Sequence, residues 1–455
     1  MVRIQAALQK VKDDYDQLIP AGAILQICGA IGYRFRRRVL GPVETCYLFL
    51  VQVLHENTAC SHLRHLTDVT CSASAYCRAR ARLPLTMLRI LLRWVSQALR
   101  DVTETAERWH GHRVFHVDGS SFSMPDTPAL REAFGQPGGQ RKGCGFPTAH
   151  LLAMFDAATG MVLDVLASPL RTHEMSKIVW MHPQLRPGDV LVADRGFCSY
   201  AHLALLWLRN LHGVFRMHQR IIVDFTPRRP HAGGEHKKDK KRRKSPKGLP
   251  RSKWLRCVGV QDQIVEWFKP RQKPTWMTAE EFGRLPASIQ VRELCYRIET
   301  PGYRTRKVTL ATTLLDAEQY PAEDLAELYR CRWQVEVNLR HIKQTMKMDV
   351  LRCESPEGVR KEMLMFALVY DLVCCVIYEA AGRQGVRADR ISFVDGMRWL
   401  QQWKPGRELI DLIVNPPRPG RVEPRIVKRR PKQYPLMREP RHVLRNRLLK
   451  QCVAA

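Results

Sequence analysis

The 14 cysteines of this 455-residue chain form no CxxC pair. No common zinc module or disulfide framework is therefore implied, and the thiols read as free in a reducing cytoplasm. One stretch, CSHLRHLTDVTC, gathers Cys60, His62, His65 and Cys71, but its spacing matches no common zinc site and it reads as helix. The N-terminal MVRIQAALQK opens no secretory apolar segment. Long hydrophobic runs are also wanting: MLMFALVYDLVCCVIYEAA is interrupted at Asp371 and reads as a buried helix, so no membrane span is predicted. The glycine-rich GQPGGQRKGCG lacks GxxxxGK[ST] and follows no helix start, which excludes a nucleotide-triphosphate loop. No internal repeat is present. Acidic residues are scarce, 44 against 74 Lys and Arg, for a formal charge of +30. Such an excess points to a polyanion, most often nucleic acid.

The excess is concentrated. Residues 227–256 hold 13 Lys and Arg against 2 acids, and residues 417–450 hold 12 against 2. Each run reads either as a surface for nucleic acid or as a solubilising segment. A chain of this length buries a large core and divides into more than one region. Residues 1–108 read as helices: YLFLVQVLHE and Leu85 to Leu99 are periodic, and SASAYCRARARLP offers a Ser cap and a Pro stop. Arg78, Arg80 and Arg82 in that last piece read either as DNA contacts on a recognition helix or as a solvated turn.

From residue 112 the period changes. HRVFHVDG alternates, TAHLLAMFDAATGMVLDVLASPL reads as two strands around the turn DAATG, and DVLVADRGF is a short buried strand. A helix-like SKIVWMHPQL lies between the last two. A helix from about Tyr200 to Leu211 and the strand GVFRMH follow. Residues 256–315 are strand-rich, Pro321 opens a helix, a second helical block covers about 357–402, and a Pro/Arg-rich tail ends the chain.

The helix YRCRWQVEVNLRHIKQTMKMD carries the least ordinary pattern. At about 100° per residue, Tyr329, Arg332, Glu336 and Lys343 share a stripe roughly 60° wide. That stripe borders Leu328, Val335, Leu339, Ile342 and Met346, where a solvated face would lie opposite them. It reads either as the lining of a cleft or as an exposed Arg332–Glu336 pair. Asp118 and Asp194 are predicted at the ends of strands, emerging at the edge of a buried sheet. Three convergent carboxylates without Cys or His suit Mg²⁺ or Mn²⁺. Two such ions roughly 3.5 to 4 Å apart serve phosphodiester displacement, with Arg332 and Lys343 neutralising phosphate charge. His116 reads as a sheet residue. Trp254, Trp267 and Trp276 read as core or as platforms for an unpaired base.

These residues resemble an insertion-sequence transposase of the DDE type, in the group whose helix carries Tyr, Arg, Glu and Lys spaced Y-x2-R-x3-E-x6-K. Tyr329, Arg332, Glu336 and Lys343 meet that spacing, VDGSSFSMPD supplies Asp118 and VADRGF supplies Asp194. The resemblance covers about residues 70–350. It implies an α/β fold: a ribonuclease-H-like catalytic core at 109–350 interrupted by a β-rich basic insertion at 222–315. An N-terminal helical DNA-binding region (1–108), a C-terminal helical region for dimerisation (351–416) and a basic tail (417–455) flank it.

Asp118, Asp194 and Glu336 are then the catalytic, metal-holding residues for two Mg²⁺ or Mn²⁺ ions per site. Tyr329, Arg332 and Lys343 contact DNA, and Arg195, Arg340, Lys347, Arg141 and Lys142 are further DNA-binding candidates. The implied activity is binding of terminal inverted repeats, cleavage of the ends and joining of 3′ ends to target DNA by a homodimer in a synaptic complex. The place of action is the cytoplasm of a prokaryote, at the nucleoid. A nuclease that cuts without joining and a catalytically idle DNA-binding relative are the alternatives.

Overall fold

A computed structural model of the chain describes residues 19–36, 39–67, 71–103, 108–138, 141, 143–172, 174–232, 248–298, 307–402, 408–416 and 438–453. Lys142, the middle of the basic run at 233–247 and the tail at 417–437 lie outside the described residues.

The N-terminal part is helical: α1 (Ala21–Ala30), α2 (Pro42–Leu54), α3 (Ala73–Arg82) and α4 (Leu85–Thr103). Ser72 supplies the cap read in the sequence, its Oγ accepting from Ala75 N–H and so pairing one of the donors a helix start leaves unbonded. Proline suits the first helical turn, and Pro42 opens α2 there.

Among the described residues nine strands then form one sheet, in the order β3-β2-β1-β4-β5-β9-β8-β7-β6. They are β1 (Val114–Ser123), β2 (Thr148–Asp156), β3 (Val162–Pro169), β4 (Val190–Ala193), β5 (His212–Arg216), β6 (Lys253–Gly259), β7 (Asp262–Phe268), β8 (Ser288–Arg297) and β9 (Lys307–Thr312). The first three form an antiparallel meander, and β4 and β5 run parallel to β1. This is the ribonuclease-H-like arrangement. Helix α5 (Pro128–Phe134) follows β1 and α6 (Tyr200–Trp207) crosses from β4 to β5, as a parallel connection requires.

The strands expected of the basic insertion pair with one another and also with the core. β9 lies antiparallel to β5, so β6–β9 prolong the sheet. Where the sequence predicts a helix at SKIVWMHPQL, only Met175–Ile178 and a single turn at His182–Gln184 are helical. Pro183 has no N–H for an α-helical bond and closes the segment into that turn.

The Glu-bearing segment also departs from a single continuous helix. It divides into α7 (Ala322–Cys331) and α8 (Trp333–Arg340), separated by a turn at Arg332, and ends in a π-helical turn at His341–Thr345. Beyond it come α9 (Pro356–Gln384), α10 (Phe393–Gln402) and the terminal α11 (Arg441–Val453).

Side chains alternate across a strand, so the two sheet faces bury different sets. Phe115, Val117, Leu152, Met154 and Leu191 pack with α6. Leu151, Ala153 and Phe155 face α4, α8 and α9. Helix α9 is long and apolar enough to cross a membrane by length and composition, but 89% of its most apolar window is buried inside the fold. Asp371, which interrupts the apolar run, accepts Val162 N–H of β3 at 2.7 Å. A carboxylate in that position has a backbone partner and needs no aqueous face.

Candidate active site

Register brings the first two acids together. β4 pairs with β1 over Val114–Val117, with Val117 opposite Ala193. The next residues along the two parallel strands are Asp118 and Asp194. Asp194 follows β4, as expected, and its Oδ1 accepts Gly196 N–H at 2.7 Å in the turn beyond. Asp118 differs from the prediction: β1 continues to Ser123, and Asp118 lies within the strand. The reason is β2, which runs alongside β1 for its whole length and pairs Ala153 with Asp118, giving the backbone bonding partners after β4 has ended. Asp118 Oδ1 accepts Gly119 N–H at 2.8 Å.

The third acid arrives on α8, which packs against β1. Val335 and Leu339 bury the inner side of α8 and leave Glu336 at its border. Arg332, at the turn between α7 and α8, bridges two of the acids. Its guanidinium donates to Asp118 Oδ2 at 3.2 Å and to Glu336 Oε1 at 3.0 Å. It also lies over the Tyr329 ring, 5.7 Å from the centroid, within cation–π range. The pair expected on a solvated face is therefore a bridge from helix to sheet. Only 13% of the Arg332 side chain is exposed.

Burial, with Asp194 and Glu336 adding like charge, pushes the Asp118 carboxyl up to about 6, although Gly119 N–H and Arg332 oppose the rise. Burial also raises the Tyr329 phenol, against the pull of Arg332 and Arg216. It lowers the Lys343 ammonium. Lys343 Nζ donates to Ser120 Oγ at 2.7 Å, two residues beyond Asp118 on the same strand face. The π turn holds Lys343 toward β1 although the segment is not a regular helix. Burial and the nearby Arg332 push His116 down to about 4, consistent with a neutral sheet residue.

The other predicted contacts divide. Arg195, Arg340 and Lys347 are exposed around the acidic group's two supporting segments. Arg141 is occupied by the C-terminal segment, donating to the Arg438 carbonyl at 3.3 Å. Arg441 lies over the Phe146 ring, 3.8 Å from its centroid, so the start of α11 rests on the segment between α5 and β2. Trp267 donates to Glu293 Oε1 at 2.8 Å and Trp276 packs on the core. Among the described residues the buried Trp254 indole N–H has no partner. Arg80 turns inward, donating to Gln52 Oε1 at 2.7 Å, while Arg78 and Arg82 stay exposed. Beside them a cleft of about 400 Å³ is lined by Arg34, Arg36 and Arg82 with Tyr33 and Phe35.

Sequence reasoning missed two residues at the site. A Cβ on Gly119 would come 2.0 Å from Glu174 Oε1, so a fourth carboxylate rests against the backbone beside Asp118. No local pattern marks Glu174, which is 55 positions from Gly119 in the chain. Trp333, next to Arg332, is 55% exposed although large and aromatic, and that aromatic beside the polar stripe was the available signal.

The donor set of Asp118, Asp194 and Glu336 is all oxygen and suits a hard divalent cation. Among the described residues no three such side chains converge closely enough to hold an ion as they stand. The Arg332 guanidinium supplies positive charge between Asp118 and Glu336, the place where a cation would otherwise offset their repulsion.

Residues 109–372 match the family described as "Transposase DDE domain". The chain is 24% identical over 384 residues to the transposase InsG of insertion sequence element IS4 from Escherichia coli K12, covering 77% of this chain and 78% of that protein. The putative transposase InsZ of the same organism is 28% identical over 127 residues, 28% of this chain and 42% of its own length. A piggyBac transposase in a synaptic complex with hairpin DNA aligns with a TM-score of 0.40 at 11% identity, over 87% of this chain and 79% of that one. The family match takes in more than half of the chain: this protein belongs to the DDE transposases and is a DNA transposase.

Proposed function

We propose that the protein is a cut-and-paste enzyme that binds the terminal inverted repeats of its element, hydrolyses phosphodiester bonds at the ends and joins the 3′ ends to target DNA. The observation that supports this reading best is the pairing register that sets Asp118 beside Asp194, under the helix that carries Glu336. In it these three residues are catalytic and would hold two Mg²⁺ or Mn²⁺ ions. Such ions, when bound, activate an attacking oxygen and offset charge on the leaving one.

The chain's own groups do the positioning. Arg332 presents a planar fork, and with cations neutralising Asp118 and Glu336 that fork is free for a phosphate, which it matches better than a lysine does. Tyr329 supports Arg332 from one side. Lys343, held by Ser120, supplies a second cation at the same edge. These three follow the Tyr-Arg-Glu-Lys pattern of the group named above. Arg195, Arg340 and Lys347 extend the positive border, Arg141 adds to it from the segment between α5 and β2, and Lys142 is a further DNA contact on the sequence alone. The chain divides, on this reading, into an N-terminal DNA-binding part (1–108), a catalytic domain (109–350) with its insertion at 222–315, a helical region (351–416) that dimerises, and a basic tail. Two ends must be held together, so the working form is a homodimer in a synaptic complex, at the nucleoid of a prokaryotic cytoplasm.

The test is a joining assay. Purified protein, a labelled duplex carrying the element's own end and a supercoiled target are incubated with Mg²⁺ or with EDTA. Magnesium-dependent end cleavage followed by covalent joining is the expected result. Cleavage without joining indicates a nuclease, and salt-sensitive binding with neither reaction indicates an idle relative.

A further inference from the structure

The cysteine-containing stretch that fails as a zinc site has a different partner in the fold. Cys60 does not meet Cys71, His62 or His65 in a ligand cluster. His62 Nδ1 lies 3.2 Å from Thr58 Oγ1 instead. The Cys60 thiol meets Cys77 of α3, Sγ to Sγ at 3.4 Å. The two are 17 positions apart in the chain. Cys77 is exposed and Cys60 half-buried, so solvent reaches the pair.

Polar and cationic side chains border the pair. Arg80, one turn along α3 from Cys77, has Nη1 3.9 Å from Cys60 Sγ, while its Nη2 donates to Cys353 Sγ at 2.8 Å. Gln52, itself buried, donates to Cys60 Sγ at 3.8 Å. Burial raises the Cys60 thiol's pKa and the Arg80 charge opposes that rise. Other cysteines, such as Cys46 and Cys375, are sealed in the core.

We propose that Cys60 and Cys77 form a reversible thiol–disulfide site that pins α3 to the turn at Cys60–His62 when the protein meets hydrogen peroxide. The exposed Cys77 thiolate attacks one peroxide oxygen. The O–O bond breaks, sulfur is oxidised to the sulfenic acid and the other oxygen leaves as water after taking a proton. The Cys60 thiolate then attacks the Cys77 sulfur, the S–S bond forms, and hydroxide leaves and is protonated to a second water. A disulfide needs sulfurs about 2.05 Å apart, an approach from 3.4 Å that rotation of the exposed Cys77 side chain toward Cys60 would supply. Thiol reductants reverse the step. Closing this loop restricts the unfolded chain, so the oxidised protein is the more stable form.

The experiment uses the full chain, reduced and then treated with equimolar hydrogen peroxide, alkylated, digested and read by mass spectrometry. The expected result is a Cys60–Cys77 crosslinked peptide, lighter by two hydrogens than its two parts and lost on treatment with dithiothreitol. A melting temperature a few degrees higher than that of reduced protein should accompany it. Cys60→Ser and Cys77→Ser should each abolish both changes, with the variants' own reduced melting temperatures showing that they fold. A crosslink from either residue to Cys353, a disulfide between two chains, or oxidation to sulfinic acid without a crosslink would overturn the proposal.

Discussion

Arg332 determines the electrostatics of the site at the scale of single residues. It donates to both Asp118 and Glu336, and Asp118 still titrates near 6 because burial outweighs that help. Replacing Arg332 with Ala should therefore move the Asp118 titration to higher pH, read from carboxyl NMR shifts in metal-free protein. An unchanged titration would mean that the bridge does not form in solution. The same shift has a sign for stability. Between about pH 4 and 6 the folded chain holds a proton on Asp118 that the unfolded chain has released, so this group's contribution falls as pH rises through that window. Asp118→Asn should flatten that part of the stability profile in urea melts. The acids drew notice in the sequence because Asp118 and Asp194 each follow an apolar alternation and Glu336 borders the apolar side of a helix. The Arg332 bridge was not, since it joins residues 214 positions apart. Glu174 was hidden for the same reason.

Among elements, α9 does most of the structural work. Its buried side chains meet the sheet, α2 and α4 in one core, and Glu362 near its start accepts Asn57 Nδ2, Arg352 N–H and Cys353 N–H. Phe366→Ala should cost about 3–5 kcal/mol by leaving a cavity, and Ser355→Ala should cost about 1 kcal/mol by removing the α9 cap, both read from chemical denaturation. A loss under about 1 kcal/mol at Phe366 would contradict the packing described. Strands and helices were legible where one period persisted, as in the two strands around DAATG. The break at Arg332 and the π turn were not, because placing residues at 100° intervals assumes an unbroken helix. Lys343 nonetheless reaches β1, since the turn that disrupts the periodicity also carries it to Ser120. Nor did strand patterns in the insertion reveal that β9 would join β5, a pairing about 100 positions apart that local alternation cannot specify.

For the whole molecule, the +30 charge should make DNA binding steeply salt-dependent. Truncation after residue 416 removes the basic tail, and the slope of log Kd against log salt should become shallower by roughly 0.9 for each phosphate that the tail neutralises. An unchanged slope would assign the tail to some role other than binding DNA. The central claim is narrower, that Asp118, Asp194 and Glu336 act as one catalytic group. Its most direct measurement compares Glu336→Gln with the unaltered protein on the same labelled end duplex, recording the Mg²⁺-dependent cleavage rate and the Kd side by side. The account predicts a fall in cleavage of at least about a hundredfold, the scale on which losing a charged catalytic group acts, with the Kd changed severalfold at most. Cleavage within a few fold of the unaltered rate would contradict it and move the catalytic centre elsewhere in the chain.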